Sequence, residues 1–262
     1  WEVAMSDFQP LIESNRRLTE TVEKKIGEID QKVEQTANEI AQTITSNNIV
    51  EYFVDAVNGD DGNTGASSSP FRTVRRALSL CPTGSKARVV LERSQRHVLD
   101  RGVNVYAAFV DIVPRGQNAD VSRPYHYDET TPIFAIESAA NIYGSICFGA
   151  YRSSVIIETN ENTPWEGIQC WGAVAITIAR SRLILNLPQT SKPLFGSDYN
   201  YLNPVKFAMR EADIVKTKGY IVRSGCIFSV DGATGFQYTD EVVYGATKYN
   251  TPSNVPFTPE VV

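Results

Sequence analysis

Apolar residues in the first fifty positions recur along one face of a long helix, with a period of eleven residues. They follow steps of four, three and four, with one polar position among them: Leu11, Asn15, Leu18, Val22, Ile26, Ile29, Val33, Ala37, Ile40 and Ile44. Eleven residues over three turns gives about 3.67 residues per turn, which is typical of helix bundles that run almost straight or gently right-handed. The pattern therefore predicts one long helix with a narrow apolar stripe.

This stripe has no obvious partner on its own chain, because the pattern that follows is typical of β structure. We therefore expect residues 1–49 to self-associate as a coiled-coil stem. Val and Ile dominate the stripe, which favours three or more strands, so a parallel homotrimer is preferred over a dimer or over packing against another part of a larger chain. Asn15 is then either a buried polar layer that fixes the register or part of a frayed, hydrated first turn.

Residues 50–82 contain three segments of different character. Residues 52–57 are rich in β-forming side chains and predict a strand, and the Gly/Asp/Asn/Ser segment that follows is typical of turns. Ser69 and Pro70 have the pattern of an N-cap and a first helical residue, so a short helix is predicted over 70–80. Its apolar face carries Phe71, Val74 and Leu78.

Residues 83–262 form short β-rich runs separated by turns. Similar segments surround Asp111, Asn141, Thr177 and Asp213, at spacings of 30, 36 and 36 residues. A repeat of this length predicts a solenoid whose stacked coils share one core. We expect three or four coils, with the helix over 70–80 covering the open end. An interleaved β-sandwich is the alternative for this domain.

Composition and charge exclude several classes of function. The formal net charge is −5, with 30 acidic residues against 25 Lys and Arg, whereas a nucleic-acid surface needs clustered basic residues. Apolar runs all stay below about 18 residues, so we expect no membrane insertion. His97 and His126 lack a metal-ligand spacing, and we predict no metal and no cofactor. Ca²⁺ binding is the alternative to a simple turn for the acidic loop, which lacks the EF-hand spacing and closing glutamate but offers oxygen ligands on Asp55, Asn58, Asp60, Asp61 and Asn63. The four widely spaced cysteines are predicted to be reduced and buried. Because the chain opens on Trp1 without a leader, we expect a fragment of a longer protein.

The segments around the predicted loop and short helix resemble a known motif. A strand followed by VNGDDGNTG, SPFRTVRRAL and VVLERSQRHVL is similar to the start of right-handed parallel β-helix (pectin-lyase-like) domains in bacteriophage tailspikes and tail fibres. The matching positions are Pro70, Phe71, Thr73 and Ala77. The likeness is good over about residues 50–115. Over residues 116–230 it is limited to a general pattern of short β-rich runs broken by turns. A helical stem before a β domain is also similar to the C-terminal region of siphophage central tail-tip fibres.

The resemblance implies a phage tail protein, and it also raises an enzymatic alternative. A polysaccharide depolymerase of the tailspike type, acting as a glycosidase or lyase, is one alternative. Hydrolysis requires two carboxylates about 5–9 Å apart, one protonated and one ionised. Acidic residues in or beside the β runs are Asp111, Glu137, Glu158, Glu211 and Asp213. Each of them is explained by an outward, solvated position on a strand. Their spacing in the sequence does not require any two carboxylates to lie close together, so we predict no catalytic residue.

Three long irregular segments are candidate binding loops: 114–132, 187–205 and the stretch from 238 onward. Two of them carry aromatic residues beside polar ones, which suits a protein or sugar surface: Tyr125, His126, Tyr127, Phe195, Tyr199 and Tyr201. Packing between protomers or against the β core is the alternative for each. Trp165 and Trp171 flank an apolar segment and are interpreted as core residues.

Together these patterns predict a mainly β fold: a short right-handed parallel β-helix-like domain on an N-terminal α-helical coiled-coil stem, as a parallel homotrimer. The predicted domains are the stem (1–49), a strand, loop and capping helix (50–82) and a β domain with long loops (83–262). The expected function is a structural and receptor-binding part of a phage tail fibre in the virion tail, assembled in the host cytoplasm. Its expected partners are a host cell-surface glycan or outer-membrane protein and other phage tail proteins. A purely structural connector is the remaining alternative.

Overall fold

The computed structural model describes residues 2–47, 49–116, 127–149, 153–164, 167–171, 174–188, 193–196 and 206–259. Within the N-terminal helix, side chains are described at residues 10 and 12–36. The chain divides into two compact units, Trp1–Asn48 and Ile49–Val262. Within the described part of the chain, no helix combines the length and apolarity needed to cross a membrane.

The first unit is a single helix, α1 (Glu2–Asn47), as the eleven-residue pattern predicts. Side chains of the apolar stripe that are described lie in solvent, with 47–62% of their area exposed: Leu18, Val22, Ile26, Ile29 and Val33. Asn15 is also exposed. The side chains of Leu11, Ala37, Ile40 and Ile44 lie outside the described residues. Glu13 and Arg17, four residues apart on this helix, form an exposed ion pair at 3.2 Å. The helix therefore presents an apolar stripe without a partner among the described residues.

The second unit is built mainly from short strands. Its elements, in chain order, are β1 (Ile49–Val54), α2 (Val74–Ser79), β2 (Lys86–Leu91), β3 (Arg96–Leu99), β4 (Val103–Val105), β5 (Phe109–Pro114), β6 (Ile133–Ile136), β7 (Ala140–Ile142), β8 (Ser145–Phe148), β9 (Ile156–Thr159), β10 (Ile168–Cys170), β11 (Ala175–Ala179), β12 (Arg182–Asn186), β13 (Pro193–Gly196), β14 (Lys206–Arg210), β15 (Asp213–Lys218), β16 (Tyr220–Arg223), β17 (Ile227–Asp231), α3 (Thr239–Val242) and β18 (Val243–Tyr244).

The strands form three parallel sheets that the chain visits in turn. The first sheet has the order β1-β2-β5-β8-β11-β14-β17, the second β15-β12-β9-β6-β3 and the third β18-β16-β13-β10-β7-β4. The chain passes through the three sheets in the same order in each coil, which is the arrangement of a parallel β-helix-like solenoid. The predicted mainly β, β-helix-like class is therefore confirmed. Among the described residues the chain completes five three-stranded coils, from β2 to β16. The expectation of three or four coils was too low, because strands such as β4 and β7 have only three residues.

The predicted register of the repeat was wrong, although its length was close. In the first sheet Asp111 pairs with Cys147, and Cys147 pairs with Thr177, which gives coils of 36 and 30 residues. Asn141 instead lies in the third sheet and Asp213 in the second. Loops of unequal length separate the sheets, so a constant spacing along the sequence does not select one sheet.

A row of phenylalanine rings, mostly in tilted contacts, runs through the core from coil to coil. Neighbouring ring centroids lie 5.4–6.2 Å apart along the series Phe134, Phe148, Phe195, Phe207, Phe228 and Phe236. Phe195 was predicted as a receptor contact, and this is wrong. It lies in β13 with none of its area exposed, between Phe148 and Phe207, so it contributes to core packing instead.

The helix α2 covers the N-terminal end of the solenoid, as predicted, and packs against β1, β2, β3 and β4. Phe71, Val74 and Leu78 are all buried there. The helix begins later than Ser69 and Pro70 predict, because Phe71 is used in β pairing: its N–H donates to the carbonyl oxygen of Phe53 at 2.9 Å. Thr73 is the N-cap, and its Oγ1 accepts from the Arg76 N–H at 3.1 Å.

The C-terminal stretch from residue 238 was predicted as a candidate binding loop, but it packs over the other end of the solenoid. The Phe228 N–H donates to the Pro252 carbonyl oxygen at 2.9 Å. The Asn254 side chain accepts from the Val230 N–H at 2.8 Å and donates to the Val230 carbonyl oxygen at 2.6 Å. This segment therefore continues the hydrogen bonding of the last strand and closes the core.

Candidate functional site

Two outer surfaces of the β unit concentrate polar side chains. We call the outer surface of the second sheet, around Arg96 and Arg182, the carboxylate–arginine face. We call the outer surface of β4, β7 and β10 in the third sheet, around Asn141 and Tyr143, the amide–aromatic face. The two faces differ in charge and exposure, and this decides what each can do.

On the carboxylate–arginine face, one arginine joins two carboxylates from different coils. Arg96 Nη2 lies 2.8 Å from Glu137 Oε1 and 2.7 Å from Glu158 Oε1. Asn160 Nδ2 also donates to Glu137 Oε1 at 3.0 Å. The bonds from Arg96 and then Asn160 lower the pKa of Glu137 below its usual value. Glu137 is therefore held ionised, bound between two donors.

A second cluster on the same face is centred on Asp213. Arg182 Nη2 and the Tyr127 hydroxyl donate to Asp213 Oδ2 at 2.7 Å and 2.9 Å, and the Thr234 hydroxyl donates to Oδ1 at 3.0 Å. The Arg182 guanidinium also lies 3.8 Å from the centre of the Tyr127 ring. Desolvation alone would raise the pKa of Asp213, but these hydrogen bonds outweigh it and lower the pKa. Tyr127, a predicted receptor contact, is thus fixed in a cation–π and hydrogen-bond cluster.

The other two candidate acids also have arginine partners. Glu211 Oε2 lies 2.7 Å from Arg180 Nε, and Asp111 Oδ2 lies 3.7 Å from Arg88 Nη2. Burial raises the pKa of Asp111, and Arg88 opposes that shift. The raised pKa of Asp111 and the lowered pKa of Glu137 thus fall on residues of different sheets, and each acid faces an arginine. This geometry favours structural ion pairing over acid–base catalysis.

On the amide–aromatic face, three aromatic rings stack on one another across successive coils. Tyr106, Tyr143 and Trp171 each stand one residue beyond the end of β4, β7 and β10. The Tyr106 and Tyr143 ring centroids are 4.5 Å apart at an interplanar angle of 24°, and those of Tyr143 and Trp171 are 6.3 Å apart at 18°. Tyr106 and Tyr143 keep 46% and 42% of their area exposed. The stack is therefore a surface feature.

A row of side-chain amides runs beside the rings. Asn104, Asn141 and Gln169 are register partners in β4, β7 and β10, two residues before the aromatic positions. Trp171 Nε1 donates to Asn141 Oδ1 at 3.0 Å, and Asn141 Nδ2 donates to Asn104 Oδ1 at 2.7 Å. This chain of hydrogen bonds fixes the Trp171 ring against the amide row. Trp171 was interpreted as core, which is wrong, since it is only partly buried.

Sequence reasoning missed this face, although a signal for it exists. The pattern amide, any residue, aromatic occurs at 104–106, 141–143 and 169–171. The predicted contacts Tyr125, His126, Tyr199 and Tyr201 lie outside the described residues, as does Trp165.

The acidic loop between β1 and α2 uses its carboxylates to hold the backbone. Asp55 Oδ1 accepts from the backbone N–H groups of Val57 and Asn58, at 3.0 Å and 2.8 Å. Desolvation opposes ionisation of Asp55, yet these bonds and others lower its pKa to about 2. Asp61 accepts from the Thr73 N–H at 2.9 Å and from its hydroxyl at 2.7 Å. These contacts favour the turn interpretation of the loop. In the described ranges, no group of three or more His, Cys, Asp or Glu is placed to hold a metal ion.

The four cysteines form no disulfide bonds. Cys81, Cys170 and Cys226 are buried and Cys147 is half-buried. Burial raises the pKa of Cys81 and of Cys147 to about 12, so neither thiol is ionised at neutral pH. None of the four is placed as a nucleophile by these properties.

No protein-family model, curated protein sequence or solved structure matches the chain. Function is therefore inferred from the sequence and from these two faces.

Proposed function

We propose that this chain is a structural and receptor-binding part of a bacteriophage tail fibre or tailspike, located in the virion tail and acting as a parallel homotrimer. The observation that carries the proposal is the combination of a 46-residue helix with an exposed apolar stripe and a parallel β solenoid on one chain. A long helix of this kind supplies assembly, and the solenoid supplies a rigid outer surface for contact with the host.

The helix gives the proposal its assembly step. Fully burying a Val, Ile or Leu side chain contributes about 1.5–3 kcal/mol. Five such side chains of the stripe are about half exposed, so self-association of α1 removes a substantial apolar area from water. Its β-branched residues favour three strands over two. A parallel trimer also presents three copies of any weak receptor site, which raises the apparent affinity without a deep pocket.

The solenoid supports adsorption better than turnover. Each of the five candidate acids faces an arginine, and the pKa values of Glu137 and Asp213 are lowered. Right-handed coiling, which the resemblance implies, is also the expected hand for parallel strands joined by crossovers.

Light scattering of the full chain tests the assembly step directly. A mass near three times 29.0 kDa is expected for the full chain, and a monomer is expected for a chain that begins at Asn48. Ile26→Gln should weaken the trimer because it places an amide in the apolar stripe. Lys24→Gln, a polar exchange outside the stripe, is the matched control. A monomeric full chain at micromolar concentration would refute the homotrimer.

Adsorption of the labelled full chain to a panel of bacterial strains tests the receptor-binding step. Saturable binding to particular strains supports the proposal. A trimer that binds none of the strains would leave a purely structural connector as the better description.

A polysaccharide depolymerase is a second candidate, and one observation favours it. Glu137 and Glu158 come from adjacent coils and contact the same nitrogen of Arg96. If this pair were catalytic, incubation with host polysaccharide would release new reducing ends or unsaturated sugars, and Glu158→Gln would abolish the release. We expect no release by the wild-type chain.

A further inference from the structure

We infer that the amide–aromatic face of the third sheet is a binding site for an uncharged glycan. The inference rests on the proposed receptor-binding function and specifies its ligand class and its site.

Charge separates this face from the ion-paired outer surfaces of the first and second sheets. The segments 102–107, 140–144 and 167–171 that build it contain no Asp, Glu, Lys, Arg or His, although 21% of the whole chain is charged. The first sheet, by contrast, exposes the ion pairs of Arg88 with Glu51 and Asp111. A charged ligand would lose water on the amide–aromatic face without gaining a countercharge. The ligand that fits is polar and uncharged.

The exposed groups suit a ligand rich in hydroxyls. Tyr143 has a ring on each side of it and still keeps 42% of its area exposed, which leaves its ring edge open to a ligand. Aromatic ring edges carry partial positive charge and attract oxygen atoms. The Asn104 amide nitrogen donates to no acceptor among the described residues, and Asn104 is exposed. Donors, acceptors and apolar ring carbons thus lie side by side, as recognition of a sugar requires.

The face is held rigid before any ligand binds. Trp171 is fixed by its bond to Asn141, Asn141 by its bond to Asn104, and the three rings by their stacking. The rows lie on neighbouring strands whose backbones are paired in register. A site with locked side chains loses less conformational entropy on binding.

Size favours a glycan over a second copy of the chain. Three strands spaced about 4.8 Å apart, each contributing five or six residues at about 3.3 Å, cover a few hundred Å². A specific protein interface needs roughly 800 Å² per partner. The face is too small to hold a protein partner alone, but it matches a short oligosaccharide.

An array of neutral and acidic bacterial oligosaccharides, probed with the labelled full chain, tests the inference. We expect binding to neutral members, and at least a tenfold loss of affinity in Tyr143→Ser and in Asn104→Ala. Tyr249→Ser is the matched control, because Tyr249 is 86% exposed and lies outside the face. Circular dichroism melting of each variant checks that it is folded. Asn104→Ala removes an exposed side chain and serves as the milder variant if Tyr143→Ser proves unstable.

Several outcomes would overturn the inference. They are binding to acidic members only, no binding to any neutral member, and unchanged neutral binding in both folded variants. If Tyr143→Ser instead lowers the solution mass of the full chain, the face is a contact between subunits. Adsorption to bacteria, measured on the same variants, separates the two proposals. If Tyr143→Ser and Asn104→Ala still adsorb to particular strains, the receptor function is retained and this site is rejected. If the wild-type chain adsorbs to no strain, the receptor function itself is rejected.

Discussion

Replacing Phe195 with alanine tests whether the internal row of phenylalanine rings stabilises the solenoid. Phe195 has none of its area exposed, and its ring centroid lies 6.2 Å from that of Phe148 and 5.4 Å from that of Phe207. Buried Phe→Ala substitutions cost about 3–5 kcal/mol because they remove apolar contacts and leave a cavity. Two ring contacts, each contributing about 0.5–1.5 kcal/mol, place Phe195→Ala near the upper end of that range.

Urea denaturation followed by tryptophan fluorescence measures the effect. We expect the free energy of unfolding to fall by about 5 kcal/mol, and the melting temperature to fall by roughly 10–20 °C for a unit of this size. Phe195→Leu keeps most of the volume and should cost less than about 2 kcal/mol. Tyr249→Ala, at an exposed position, should leave the stability unchanged.

A loss below about 1 kcal/mol in Phe195→Ala would refute the core assignment. A variant that kept its full stability but no longer adsorbed to bacteria would refute it as well. That result would place the Phe195 ring at the surface, as the loop pattern had predicted.

Three further predictions concern buried and paired polar groups. Burial lowers the pKa of His97, so the unfolded chain binds more protons, and the melting temperature should fall between pH 7 and pH 5.5 in the wild type but much less in His97→Gln. Asp61→Ala leaves the Thr73 N–H and hydroxyl without their acceptor and should cost about 1–3 kcal/mol in urea denaturation, with a smaller loss in Asp61→Asn. Arg96→Met removes the main cause of the lowered pKa of Glu137, so a carboxyl-carbon NMR titration should show that pKa rising, whereas stability changes by only about 0–1 kcal/mol.

The elements with strong local patterns were predictable from the sequence. The eleven-residue stripe identified α1, and the spacing of Phe71, Val74 and Leu78 identified the covering helix α2. The start of α2 was missed because it depends on a side chain twelve residues away: Asp61 accepts from the Thr73 N–H and hydroxyl, which fixes the extended N-cap. Such a contact between distant residues produces no periodic pattern in the sequence near the helix.

The candidate sites were harder to predict, because they depend on which strands become neighbours. Arg96 and Glu158 are 62 positions apart in sequence, yet their side chains meet across the second sheet. The strands under Tyr106 and Tyr143 have three residues each, too few for alternation to stand out. Loop lengths decide the register between coils, and loop lengths follow no hydrophobic pattern. An alignment of the third-sheet strands would have shown the repeated amide and aromatic positions.

The covered ends of the solenoid limit how copies of this protein can join. An open parallel sheet offers unpaired N–H and C=O groups at its edge strands, which invites strand addition from another chain. Here the edge at Phe53 is bonded to Gly65 and Phe71 of the acidic loop, and the edge at Phe228 and Val230 is bonded by the C-terminal segment. Strand addition at these positions is blocked within each chain. Growth of a β filament through these positions of the first sheet would first require the acidic loop and the C-terminal segment to unfold, so this sheet keeps a fixed number of strands.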